Sequence, residues 1–165
     1  VIPAYMPQNY DEYFDGVDLT LVRWLDQFSK QHDEEYLRSW LGRMLFSKEE
    51  ALKKAKVLSG GEKVRCMLAK MMLAQGNFLI FDEPTNGLDV LTAKVVTDFL
   101  SEQKAQGKSI IVSTHIFSLV EKLCDRVSVI IGGRMAAEGS LADVSGGKPL
   151  EDAFFDLYKR TVTGV

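Results

Sequence analysis

Residues 58–89 read LSGGEKVRCMLAKMMLAQGNFLIFDEPTNGLD, and no other stretch limits the fold so tightly. A Gly-Gly turn opens an amphipathic run. Val64, Met67, Leu68 and Met71 then recur at three- and four-residue spacing, which predicts a helix from Gly61 with one buried face. The methionines on that face read as core rather than as a cofactor site. After Gly76 the pattern changes to a continuous apolar run, Phe78 to Phe81, as expected of a buried parallel strand. The strand ends in two adjacent carboxylates, Asp82 and Glu83, and Pro84 turns the chain away.

Each end of this stretch has a structural and a chemical reading. Ser59 and Glu62 have the spacing of a capping box, which only starts a helix. The same turn bares backbone N–H groups at Gly60 and Gly61, where the helix dipole favours an anion such as a terminal phosphate. Paired acids at a strand end are commonly a solvated turn. They are also the arrangement in which Asp82 holds Mg²⁺ and Glu83 orients or deprotonates an attacking water.

The remaining chain reads as follows. Val1 to Met6 is apolar, and Pro3 limits it to an edge strand or a strand start. Gln8 leads into an acidic, aromatic loop. Asp18 is the expected cap of a helix carrying Leu21, Trp24, Leu25 and Phe28. A second helix carries Tyr36, Leu37, Trp40, Leu41, Met44 and Leu45, and Ser47 to Glu50 spells a capping box for a short third. After the central stretch come a helix from Leu91 to Leu100, a buried strand from Ser109 to Val112 and a helix from Ile116 to Leu123. A third strand, Val127 to Ile131, is followed by Gly132-Gly133 and a hairpin partner, Arg134 to Glu138. A short helix, Ser140 to Val144, and a closing helix, Leu150 to Tyr158, complete the chain. Strands alternating with helices predict an α/β fold with a partial parallel sheet flanked by helices. In such a sheet the strand ends share one edge, so Asp82, Glu83 and His115 are expected on a common rim. His32 reads as an ordinary surface histidine.

At 165 residues the chain has material for a real core, and its net charge of −3 gives no sign of direct DNA binding. Cys66 and Cys124 sit in apolar segments and read as separate thiols in a reducing compartment. The longest apolar runs are strand-length. The start at Val1, on an apolar run without Met, is expected of an excised piece.

The combination of LSGGE, a strand ending in DEP, the loop Asn86 to Asp89 and a later strand followed by His115 resembles the ATP-binding cassette (ABC) ATPases, a P-loop-NTPase-like family. The resemblance covers nearly the whole chain, and Gln8 corresponds to the family's glutamine loop. It implies ATP and Mg²⁺ as cofactors. It also implies four segments: a strand and glutamine loop (1–16), a helical lobe (17–57), a signature helix with part of the α/β core (58–145), and a closing helix (146–165). Ser59, Gly60, Gly61 and Glu62 would be the signature that touches the γ-phosphate of ATP held by a second ATPase domain in a head-to-tail dimer. Asp82 would bind the metal, with Gln8 approaching it and the attacking water. Glu83 would be the catalytic base, His115 the switch histidine and Asp89 the loop that passes information across the dimer.

Two departures stand out. The phosphate-binding pattern G-x-x-x-x-G-K-[ST] does not occur in the 165 residues. In the family, that loop and its strand precede the glutamine loop, so the sheet is expected to lack a central strand and this chain to be inactive alone. The chain also has mixed character. Tyr5 to Gln8, Leu41 to Phe46 and Leu58 to Lys63 look like the F-type, ribosome-acting branch. From about Asn77, including Thr85 to Asp89 and Ser113 to His115, it looks like the ATPase subunit of an exporter. A recombinant or intermediate branch is one expectation, with the join between about residues 66 and 84. The expected output is membrane transport, from the cytoplasm or its membrane face, with a membrane-spanning subunit as partner. The alternatives are a translation factor partnered by the ribosome and an inactive interaction module.

Overall fold

The computed structural model describes residues 1–163, which divide into two compact units on either side of the Ser113–Thr114 bond. In the first, β1 (Pro3–Met6), β2 (Phe78–Asp82) and β3 (Ser109–Ser113) form a parallel sheet with β2 in the middle. Pro3 is the first residue of an edge strand, where its missing N–H costs no ladder bond. The register pairs Met6 with Phe81, and Asp82 with Ser113. Leu79 and Phe81 point into the core, each contributing roughly 1.5–3 kcal/mol by burial.

The helices α1 (Leu21–Asp26), α2 (Glu34–Arg43), α3 (Gly60–Leu73) and α4 (Val90–Ala105) complete this unit. The spacing read from the sequence picks out the buried face of α3, where Val64, Met67, Leu68 and Met71 are buried together with Cys66. Gly76, between α3 and β2, has a packing reason: a Cβ there would lie 2.9 Å from the Ala4 Cβ on β1. Residues 17–57 belong to the same compact unit as the sheet, and Thr20 bridges to Lys54 within them.

Three expectations need correction. Thr20, not Asp18, caps α1, accepting from the Arg23 amide. Asp18 is drawn instead to Lys56, at 2.9 Å. The Ser47–Glu50 box forms, but it starts only a single 3-10 turn, Glu50–Leu52. β3 is half-exposed rather than buried, with Ile111 53% exposed, because it is an edge of the described sheet.

The second unit holds α5 (Phe117–Leu123), β4 (Arg126–Ile131), β5 (Arg134–Ser140), α6 (Leu141–Ser145) and α7 (Leu150–Thr163). As expected from the Gly132-Gly133 turn, β4 pairs antiparallel with β5 as a hairpin. Gly132 and Gly133 both take positive φ, the geometry of a two-residue hairpin turn, so the nearest partner captures the strand. Phe117 meets Phe154 at 5.3 Å, and Glu121 accepts a hydrogen bond from the Leu150 amide at 2.7 Å.

Candidate functional site

The start of α3 is a complete capping box. Ser59 Oγ accepts from the Glu62 amide at 3.3 Å, and Glu62 Oε2 accepts from the Ser59 amide at 2.9 Å. Lys53 donates to the other Glu62 oxygen at 2.7 Å. Burial pushes the Glu62 carboxyl up, but the Lys53 ammonium and the Ser59 amide outweigh it and hold it below its ordinary value. The two glycines differ. Around Gly60 there is open space, whereas a Cβ on Gly61 would lie 2.7 Å from Thr92 Oγ1 and 3.4 Å from Asp89 Oδ2. Gly61 is thus the residue that lets the start of α3 meet the start of α4.

Asp89 builds that second helix start. Its Oδ1 accepts from the Leu91 and Thr92 amides, and its Oδ2 from the Thr92 hydroxyl at 2.7 Å. The Thr92 amide and hydroxyl hold the Asp89 carboxyl below its ordinary value.

At the end of β2, Asp82 and Glu83 are half-buried. Glu83 has φ +46°, and its amide donates to the Ser113 carbonyl at 2.8 Å. A non-glycine residue in this region stores strain of about 1–3 kcal/mol.

These ends meet at one open cavity of about 380 Å³ in the first unit. Gln8 and Asp11 line one wall, Gly60 and Lys63 another, and Asp82 and Glu83 a third. Four of the expected site residues, Gln8, Gly60, Asp82 and Glu83, are therefore brought together. Ser59, Gly61, Glu62 and Asp89 do not line the cavity. His115 lies in the second unit, two residues beyond Ser113, and is exposed. His32 is bonded to Asp26 at 2.8 Å, as befits a surface histidine.

Sequence reading missed Lys63 and Asp11. Lys63 donates to Asp11 Oδ1 at 2.8 Å and to Asp15 Oδ1 at 3.2 Å. The Asp11 hydrogen bond holds the Lys63 ammonium above its ordinary value. One signal was available: a lysine in the first turn of a helix opposes the helix dipole and needs a reason from elsewhere in the fold.

A family model described as ABC transporter matches residues 4–86, half of the chain. The uncharacterised ABC transporter ATP-binding protein YkpA of Bacillus subtilis is 49% identical over 126 residues, which cover 75% of this chain and 23% of that protein. The Nod factor export ATP-binding protein I of Rhizobium etli is 40% identical over 101 residues, covering 60% of this chain and 32% of that protein. The chain thus spans between about a quarter and a third of the length of these relatives. A solved structure of the ATP-binding subunit of an ABC transporter superposes with a TM-score of 0.75 at 28% identity, covering 94% of this chain and 68% of that one. The chain belongs to the ABC transporter family, and its fold is that of the family's ATPase domains.

Proposed function

We propose that this chain is part of an ATPase domain that binds and hydrolyses MgATP in a head-to-tail dimer to power membrane transport. The observation that carries the reading is the single cavity onto which Gln8, Gly60, Asp82 and Glu83 converge. Asp82 would hold Mg²⁺, with Gln8 beside it. Glu83 would orient the water and take its proton as it attacks the γ-phosphate in line. When bound, Mg²⁺ neutralises charge on the phosphate oxygens. Ser59, Gly60, Gly61 and Glu62 would present the start of α3 to ATP held by a partner domain, with Asp89 relaying between the two and His115 as the switch residue. The exposure of Ser59 and Gly60 supports that role. The names of the relatives support transport, with a membrane-spanning subunit as partner and a cytoplasmic location at the membrane face. Among the described residues no helix is long and apolar enough to cross a membrane.

With no G-x-x-x-x-G-K-[ST] pattern in its 165 residues, the chain alone is expected to hydrolyse no more ATP than its Glu83→Gln variant. Robust turnover would overturn this. Mixed with a complete ATPase domain of the family and MgATP, it is expected to form a mixed dimer by sedimentation, lost in Ser59→Arg. Failure to associate would remove the dimer reading and leave an inactive module.

The Tyr5–Gln8 lead and the Leu58–Lys63 turn favour a second output, an F-type translation factor, and a recombinant or intermediate origin for the chain. Co-sedimentation with ribosomes tests the output. A single best-matching branch for both halves, aligned separately, would exclude the mixed origin.

A further inference from the structure

The cavity's walls come from segments far apart in sequence, and one contact ties two of them together. Lys63, in the first turn of α3, reaches 52 residues back to Asp11 and 48 residues back to Asp15. Its side chain is 15% exposed, while the Asp11 and Asp15 side chains it meets are 56% and 69% exposed. The ammonium also lies 5.9 Å from the centre of the Phe14 ring, and that ring is fully buried against Trp24 at 4.7 Å. Seven residues on, on the same face of α3, Lys70 places its ammonium 4.0 Å over the Tyr13 ring. The α1 side holds this segment separately, through Trp24 Nε1 donating to the Tyr13 carbonyl at 2.7 Å. Lys63 is thus the contact at the cavity end of the segment, where Gln8 to Asp11 form the wall.

The helix itself has no use for a cation at this position, because its dipole is positive there. We propose that Lys63 is a positioning residue: by bridging Asp11 and Asp15 it straps residues 8–15 onto the first turn of α3, and so sets the place of Gln8 in the cavity it shares with Gly60, Asp82 and Glu83. The strap makes the cavity one body in which the glutamine segment and the signature turn move together. The role assigned to Gln8 rests on the function proposed above; the strap does not.

Hydrogen exchange on the 165-residue chain tests it. The Phe14 and Asp15 amides both donate to the Asp11 carbonyl, at 2.9 and 2.8 Å. Lys63→Met, which keeps the stem and removes the charge, is expected to speed their exchange about two- to fivefold, the effect of losing its partly exposed pairs to Asp11 and Asp15. The amides of α2 and the second half of α3 should be unchanged. Lys63→Arg should restore protection, as should the swap Lys63→Asp with Asp11→Lys. Unchanged exchange at Phe14 and Asp15, or an equal rise throughout α1 and α3, would overturn the proposal. A second reading uses Mn²⁺. In the unmodified chain it should broaden the side-chain amide signals of both Gln8 and Asn86, and in Lys63→Met the broadening of Gln8 should weaken relative to that of Asn86. If Mn²⁺ broadens neither signal in the unmodified chain, the metal role of Asp82 fails, while the exchange result still decides the strap.

Discussion

The start of α3 and the end of β2 share a cavity but are built in opposite ways. At the helix start each polar side chain already has internal partners: Ser59 and Glu62 hold each other, Glu62 holds Lys53, and Lys63 holds Asp11 and Asp15. At the strand end the backbone of Glu83 is strained, at φ +46°. The first region looks optimised for stability. The second keeps an unfavourable conformation at the position proposed to handle water and phosphate. Strain held at such a place is consistent with function being retained at some cost to stability.

Substitutions can break this contrast. The largest effect is expected at Gly61→Ala. The added Cβ would meet Thr92 Oγ1 at 2.7 Å, and Thr92 cannot retreat without giving up its bond to Asp89. A loss of about 1–3 kcal/mol in urea unfolding is expected. The same change at Gly60, with open space around it, should cost nothing by crowding. Ser59→Ala should cost about 1 kcal/mol by removing the cap of α3. At the strand end the cost should be smaller. Glu83→Gly relieves the positive φ but loosens the unfolded chain and removes the side chain's own interactions, for a net change within about 1 kcal/mol. A larger loss there would show that Glu83 is held by its surroundings rather than strained by them.

The smallest effect is the dependence on acid. Glu62 and Asp89 are both held below their ordinary values of 4.5 and 3.8. Their contribution to stability is therefore complete above those values and lost as pH falls through the lower folded ones. Urea midpoints measured from pH 6 downwards should fall in that range, and Asp89→Asn should flatten the slope.

Local patterns made much of this legible. The Ser59–Glu62 box and the buried face of α3 follow from spacing; the apolar run of β2 marks a strand but not its alternating burial, with Leu79 and Phe81 buried and Phe78 and Ile80 half-buried. Sequence reading went wrong where two local answers compete. Asp18 and Thr20 both suit a cap, and only the positions of Lys54 and Lys56 decide between them. The β4–β5 hairpin, by contrast, was legible in Gly132-Gly133. The cavity was half visible, because Gln8 and Asp82 carry a motif, while the Lys63 contact joins residues about fifty positions apart and leaves no periodic trace. The strain at Glu83 left no trace in the sequence.

Cys66 lies fully buried in the middle of α3, and burial pushes its thiol well above the ordinary range, while Cys124 is partly accessible. The two thiols therefore differ in how they meet an alkylating reagent. Cys124 can meet the reagent without any opening of α3, and Cys66 reacts only when α3 opens. The chain thus carries its own paired clock, in which the lag between the two modifications measures how often the helix beneath the glycine turn comes apart.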